Sequence, residues 1–433
     1  MREVFRNWAG NQVASPAEVC TPASTDEVAE AVARAAAAGR RVRMAGSGHS
    51  FTGVALTDGL LLRPDALTGV REVGDGWVRV AAGTPLHVLN EELHRRGLAL
   101  ANLGDITAQT IAGALQTGTH GTGRDVGGLA DQVAALELVL ADGTVTRVSE
   151  DDPDPARRDL FHAARVGLGA LGVVTEVTLK VVPAFLLRAV RRPMRLTAVL
   201  AGLDELLAAN EHVDFFWFPH TDACQVKLNN RCAGPPGGMG TFRRWLDERF
   251  LENTVFGALC ETGARLPWAI PAINRVCGAA LGTAEFVDVS HRVFATVRRV
   301  RFLEMEYAIP AERLGEALGE IRDLIDRGGW KIGFPVEVRV APPSDAWLST
   351  AYGRATAYVA FHVYRRAPQP GYFAAAEQVM IRLGGRPHWG KLHTRDAAYL
   401  AGVYPRFGDF VALRDRLDPD RVFGNEHLEK VLG

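Results

Sequence analysis

Several features are scarce in this chain, and each scarcity removes a class of function. Its five cysteines (Cys20, Cys224, Cys232, Cys260 and Cys277) form no CxxC pair. An odd, sparse set reads as reduced thiols of a cytoplasmic protein rather than a disulfide frame. No apolar run approaches the roughly 18 residues of a transmembrane helix, so no membrane span is expected. The start, Met1–Arg2–Glu3–Val4–Phe5–Arg6, lacks the apolar core of a signal peptide. A formal net charge of −1 leaves no basic excess for a nucleic-acid partner. No HExxH and no clustered carboxylates accompany His388 and His393, so no metal is expected. A glycine-lysine-serine/threonine P-loop is absent. After Gly46–Ser47–Gly48, Phe51 stands where a dinucleotide fingerprint needs its third glycine. Internal repeats and low-complexity tracts are also missing.

What is present is ample apolar material and alternating elements. At 433 residues two domains are the natural prior, and a hydrophobic content of 47% suffices for two cores. The first 180 or so positions read as α/β. Ser24–Thr25–Asp26–Glu27 has capping-box spacing before an alanine-rich helix that Gly39 stops. Thr84–Pro85 starts a helix through Arg96, with Gly97 at its end. Asp142–Gly143 between two apolar runs signals a type I′ hairpin, and Pro183 marks a boundary. Candidate strands in the second half are 213–218, 301–307, 336–340 and 358–364, whose alternation implies a sheet with one face lining a site. Gly234–Pro235–Pro236–Gly237–Gly238 reads as a mobile loop.

Two glycine-rich segments carry the functional signal. Met44–Ala45–Gly46–Ser47–Gly48–His49–Ser50–Phe51 follows a β-type run and ends in a histidine expected to be exposed. Successive amides in such a turn can form a nest for pyrophosphate oxygens. Small residues and hydroxyls also dominate 102–123, which includes Gly104, Asp105, Thr110, Gly113, Ala114, Thr117, Gly118, His120 and Gly121. Each glycine in a packed helix costs roughly 0.5–1 kcal/mol relative to alanine. Backbone pressed against a large flat ligand and its phosphates explains them better.

These segments resemble the para-cresol methylhydroxylase-type flavin-binding domain of the vanillyl-alcohol oxidase superfamily. More narrowly, the chain is similar to sugar-lactone and alditol oxidases (gulonolactone, arabinonolactone and alditol oxidases). The likeness starts at Asn7–Trp8–Ala9–Gly10–Asn11. It continues through Leu168–Gly169–Ala170–Leu171–Gly172–Val173–Val174–Thr175, Glu337–Val338–Arg339 and Pro387–His388–Trp389–Gly390–Lys391, and it closes at Phe423–Gly424–Asn425. It implies an α+β, two-domain flavoprotein. The FAD-binding domain would be 1–183 and the α+β substrate (cap) domain 184–395, with 396–433 returning to the FAD domain.

The resemblance also implies roles. FAD would be held by Gly46, Ser47, Gly48, Ser50, Gly104, Asp105, Thr110, Gly113, Ala114, Thr117, Gly118, His120, Gly121, Gly172 and Val174. His49 would be bonded covalently to the flavin 8α-methyl carbon. Glu337 and Arg339, two apart on a strand, share a face and would meet the substrate, one accepting from hydroxyls and the other donating in fixed geometry. Lys391 would lie near the flavin and the reacting hydroxyl. His362 and Tyr364 would line the pocket, where tyrosine replaces a smaller hydroxyl residue and weakens the case for a linear polyol. Gly104 would sit at the flavin C4a edge, where glycine tends to admit oxygen. The implied reaction passes a hydride from a carbinol carbon of a sugar lactone or polyol to flavin N5, with oxygen or another acceptor taking the electrons. A metal-dependent hydrolase and a nonenzymatic nucleotide-binding protein are the rival classes. The second need not keep Glu337, Arg339 and Lys391 together. The oligomeric state is unknown.

Overall fold

The computed structural model describes residues 3–238, 253–296 and 298–433. Its first layer holds two larger sheets, beside the short pairs Phe5–Arg6 with Val13–Ala14 and Leu98–Ala99 with Val182–Pro183. Glu18–Cys20, Leu60–Leu62 and Val42–Met44 pair in parallel, with Leu60–Leu62 central. A five-stranded antiparallel sheet runs in the order Val145–Ser149, Val133–Val139, Val173–Lys180, Trp77–Ala81, Val70–Gly74. The helix Thr25–Ala37 buries Val28, Ala31, Val32 and Ala35, the i, i+3, i+4, i+7 stripe of an amphipathic helix. The Ser24 hydroxyl accepts from the Glu27 amide, and the Glu27 carboxylate accepts from Ala23 N–H at 2.8 Å, which fixes its start.

Two local expectations change. The hairpin at Asp142–Gly143 forms, but not through a type I′ turn. That turn needs positive φ at both central residues; Gly143 has φ 85° and Asp142 does not. Leu140 N–H donates to Thr144 and Gly143 N–H to Leu140, so a longer loop places one glycine in the left-handed region. The helix after Thr84 begins at Leu86, with Pro85 in extended conformation as its cap and Arg95 as its last residue.

The second layer is an eight-stranded antiparallel sheet. Its order is Ala284–Val289, Leu186–Arg195, Ala223–Cys232, His212–Trp217, Val336–Ala341, Thr356–Tyr364, Phe302–Pro310, Arg386–Pro387. Period-two alternation divides its faces. Val213, Phe215, Trp217, Val336, Val338, Val359, Phe361, Met305 and Tyr307 pack against the helices Leu314–Gly328 and Pro370–Arg382, through Ile321, Ile325, Tyr372 and Met380. The residues between them, Asp214, Phe216, Glu337, Arg339, His362, Glu304 and Glu306, belong to the opposite face, toward the first layer. Gly237 of the glycine–proline loop is bridged to Val287.

The last helices, Ala397–Val403, Phe407–Leu417 and Glu426–Leu432, return to the first layer. Leu400, Tyr404, Phe407, Phe410 and Phe423 share one apolar cluster with Val32, Val42 and Leu60. Asn425 fastens them. Its amide donates to the carbonyls of Gly53, Val54 and Leu56, and its Oδ1 accepts from Leu428 N–H at 2.8 Å. Among the described residues no helix is long and apolar enough to cross a membrane.

Replacing Asn425 with alanine strips a helix cap and removes a donor from the carbonyls of Gly53, Val54 and Leu56. The expected loss is about 2–3 kcal/mol, read as a lowered midpoint in chemical denaturation. An unchanged midpoint would mean that this anchor contributes nothing.

Candidate active site

A cavity of about 570 Å³ lies between the polar face of the large sheet and the first-layer loops. A narrower one of about 100 Å³ runs along Gly46, Ser47, Gly48, Thr110, Gly113, Gly172 and Val174. The two share His49, Ser50, Gln109 and Thr117, so together they form one elongated space. The narrow end is built for close backbone approach. A Cβ on Gly46 would collide with Thr110 Oγ1, and that oxygen already accepts from Gly113 N–H at 3.2 Å. Ser47 Oγ donates to Ala108 O at 2.6 Å, tying the two glycine segments together. A cleft walled by backbone and hydroxyls, opening into a wider chamber, fits a dinucleotide with a flat ring at one end.

Arg43, which carried no assignment from sequence, braces this cleft. Its buried guanidinium donates to Leu168 O, Gly169 O and Phe423 O at 2.6, 2.9 and 2.8 Å. It thereby holds the third glycine motif against the C-terminal segment.

Not every expected cofactor residue reaches the space. Ala114 is fully buried in the apolar core. Gly118 turns the chain with φ 76° beside Val166, and a Cβ on Gly121 would strike Leu103 O. These three are where small residues let segments pack, not cavity lining. His49 is half-buried rather than exposed, stacked on Trp8 with centroids 5.5 Å apart. Burial, helped by the Lys391 charge, lowers its pKa to about 4, so its imidazole is neutral near pH 7.

The chamber gathers Glu337, Arg339, His362 and Lys391 with His49, Gly104, Asp105 and His120. Strand register explains the grouping. Glu337 lies opposite Phe216 and Ala360, Arg339 opposite Asp214, and Glu304 opposite His362. Lys391 arrives from a separate segment. Phe51 N–H donates to Gly390 O at 2.7 Å, and buried Trp389 Nε1 donates to Leu348 O. The turn carrying Lys391 is therefore tied to the loop carrying His49.

The charges are matched in chains. Arg339 Nη2 bonds the Glu337 carboxylate and Asp105 Oδ1, the latter at 2.7 Å, while Arg298 Nη2 reaches Asp105 Oδ2 at 2.9 Å. Lys391 Nζ meets Glu304, and His362 Nε2 lies 3.4 Å from the same carboxylate oxygen. His120 Nε2 bonds Glu306 at 2.9 Å and stacks on Tyr358. Burial pushes the Lys391 ammonium down, but Glu304 and Glu306 outweigh it and hold its pKa above the ordinary value. Burial raises the Glu304 carboxyl, and Lys391 and His362 bring it below the usual range. Burial also raises Glu337, whose final pKa stays above its ordinary value despite Arg339 because Asp105 adds a like charge. The site can thus offer a fixed cation and carboxyl acceptors to a hydroxylated ligand in a largely desolvated chamber.

Tyr364 does not line this chamber. At the strand end its hydroxyl donates to Glu261 at 3.0 Å, and it lines a smaller adjoining cavity beside Cys260 that meets the chamber at His362, Phe334 and Phe256. Glu304 and Glu306 were missed as functional residues. The readable sign was Glu304–Met305–Glu306, two acids at alternate positions of an apolar strand. The nitrogens of His120 and His388 and a carboxylate oxygen of Glu306 lie within 4.8 Å of one another, a grouping that the residue spacing did not show.

A family model described as D-arabinono-1,4-lactone oxidase matches residues 177–431, and one described as FAD binding domain matches residues 16–149. The chain is 43% identical to an L-gulono-1,4-lactone dehydrogenase of Mycobacterium tuberculosis (strain ATCC 25618 / H37Rv), covering 100% of both. It is 35% identical to the L-gulonolactone oxidase of Bos taurus, over 99% of this chain and 98% of that one. It is 34% identical to an alditol oxidase of Streptomyces sp., covering 100% of both. Among solved structures, cholesterol oxidase from B. sterolicum superposes with a TM-score of 0.84 at 18% identity, over 100% of this chain and 97% of that one, a likeness of fold.

Four histidines in and near the site are neutral when folded. Burial lowers His49 to about 4 and His388, His393 and His427 to about 3, from an ordinary value of 6.5. The unfolded chain binds these protons first. Their contribution is therefore fully present above about pH 6.5 and is lost as pH falls toward 4 and 3. The melting temperature should drop across that window. His393→Leu should flatten the drop, since neither His393 ring nitrogen has a hydrogen-bond partner to lose. An equally steep drop in the variant would remove His393 as a cause.

Proposed function

The chain belongs to the D-arabinono-1,4-lactone oxidase family, and from that premise we propose that it oxidises a carbinol carbon of an aldono-1,4-lactone of the L-gulono-1,4-lactone type, with oxygen as acceptor and hydrogen peroxide as product. It is an FAD-dependent oxidoreductase acting on CH–OH groups. The observation that carries the substrate reading is the convergence of Glu337, Arg339 and Lys391 on one chamber that His49 also borders.

The narrow cleft of Gly46–Ser50, Thr110, Gly113 and Gly172–Val174 would hold the nucleotide part of FAD, and the chamber beside His49 its ring. When bound, FAD supplies the two-electron acceptor for the substrate hydride. The chain's own residues position and polarise. Glu337 accepts from ring hydroxyls while Arg339 donates to ring oxygens. The Lys391 ammonium, kept charged by Glu304, stabilises the negative charge that grows on the carbinol oxygen as its proton leaves. Phe51, Phe302 and Phe334 wall the chamber with apolar surface and limit water around those charges.

Neutral His49 retains the lone pair that a bond to the flavin 8α-methyl carbon requires, and Trp8 stacked on its ring limits the ring's rotation. We assign the covalent link to His49. Gly104 borders the chamber, and a Cβ there would lie 3.0 Å from His120 O and 3.2 Å from Thr119 Cγ2. This supports glycine at a crowded edge where oxygen must enter. The proposed substrate domain is 184–395, with 1–183 and 396–433 holding the cofactor. A cytoplasmic location rests on the free state of all five cysteines. Two specific similarities favour second readings. The 43% relative is named a dehydrogenase, which favours an acceptor other than oxygen. The alditol oxidase relative favours a linear polyol, and the Tyr364 hydroxyl, bonded to Glu261, is directed away from the chamber's charged face.

Steady-state assays with L-gulono-1,4-lactone and xylitol, followed by flavin bleaching and peroxide release, test the reading. Lys391→Met should lower kcat/KM about 100-fold or more, the scale of losing one preorganised electrostatic group; retained activity would remove its role. Acid precipitation of wild type should leave yellow colour in the pellet, and His49→Ala should release it to the supernatant. Colour kept in the mutant pellet would exclude His49 as the anchor. Gly104→Ala should slow reoxidation by oxygen while leaving anaerobic flavin reduction by substrate unchanged. Equal reoxidation rates would end the oxygen-gate assignment.

A further inference from the structure

Asp105 stands out because it is a carboxylate inside a substrate chamber, bonded to the guanidinium assigned to the substrate. It lies on the first-layer loop after Gly104, and its backbone carbonyl accepts from Thr296 N–H at 3.0 Å across the layers. Its Oδ1 is 2.7 Å from Arg339 Nη2, and its Oδ2 is 2.9 Å from Arg298 Nη2. Glu337 occupies the same Arg339 nitrogen. Two carboxylates therefore share one guanidinium amine before any ligand arrives. Two further chamber cations are matched by carboxylates as well, Lys391 by Glu304 and Lys227 by Asp214.

Such a chamber favours neutral ligands. A third carboxylate placed on Arg339 would face Asp105 and Glu337 at close range in a largely desolvated site, where like charges repel strongly. A lactone carbonyl or ring hydroxyl adds no charge and uses the guanidinium N–H groups that remain. This distinction matters for an aldonolactone, because hydrolysis adds water across the ring ester and converts it into an aldonate with the same carbons, one more hydroxyl and one negative charge. The two forms differ in shape, ring against open chain, and also in charge, and it is the charge that Asp105 would read.

We infer that Asp105 is a specificity-determining residue that, by occupying Arg339 and Arg298, admits the ring-closed neutral lactone and rejects the ring-opened aldonate. The inference rests on the aldonolactone reading above. It differs from a purely structural role for Asp105, such as tethering the loop to the sheet, because that role would weaken all ligands together.

The test uses the holoenzyme with L-gulono-1,4-lactone as substrate and L-gulonate as competitive inhibitor, and compares wild type with Asp105→Asn and Asp105→Glu. The readout is the ratio of the gulonate inhibition constant to the lactone KM, at low and at high salt. In wild type the ratio should exceed about ten, and Asp105→Asn should lower it about tenfold, more at low salt than at high salt. Asp105→Glu keeps the charge and should keep the wild-type ratio. A ratio unchanged in Asp105→Asn, with the lactone still turned over, overturns the inference and leaves the substrate reading standing. If wild-type enzyme neither oxidises the lactone nor shows a flavin difference spectrum with it, the substrate reading falls and the inference with it.

Discussion

Charges on one face of a β-sheet cannot be buried alone, and the site is arranged around that constraint. Glu304, Glu306, Glu337 and Arg339 are each less than a tenth exposed. Period-two alternation forces them to the face opposite the apolar one, where removing any charge from water is costly without a partner. The partners come from elsewhere: His120 and Asp105 from first-layer loops, Lys391 from the turn after the last sheet strand, and Arg298 from the segment before Phe302. The ion network is therefore also the seam between the layers. The groups that would hold a hydroxylated substrate thus also tie the sheet to the flavin-binding layer, beside apolar contacts such as Phe51 with Phe302.

The cofactor side follows a different logic. It has few charges and relies on the lack of side chains. Gly46 sits against Thr110, Ser47 is bonded to the next glycine segment, and Arg43 clamps the third to the C-terminus. The result is a rigid cleft whose shape comes from backbone. Lys391 and His49 lie at the junction of the two logics, and the Phe51–Gly390 bond fixes their separation.

Parts of this were legible from residues alone. The Ser24 cap, the alternating strands and the glycine-rich segments rest on local rules, and the structure places those elements where these rules put them, except that Glu27 closes its half of the cap on Ala23 N–H rather than Ser24 N–H. Glu337 and Arg339 could be paired on one face because two-residue spacing is independent of context. Tyr364 shows the limit of that rule: it shares parity with His362, yet at the strand end its hydroxyl turns to Glu261 on a separate helix. Ala114, Gly118 and Gly121 show another limit, since small residues serve equally for packing segments together and for approaching a ligand. The Asp142–Gly143 turn failed for a narrower reason, because loop length, not the dipeptide, set which residue took positive φ.

The sequence by itself determined the elements, the face on which each charged strand residue lies, and the family to which the motifs point. These depend on spacing of a few residues along the chain. Only the tertiary structure decided which charges meet: Glu306 with His120, 186 positions apart, Lys391 with Glu304, and Asp105 with Arg339. Such pairings depend on sheet order and on the return of distant segments. A buried carboxylate accepts whichever cation the fold brings within bonding distance, and nothing local to Glu304 or Asp105 names that partner.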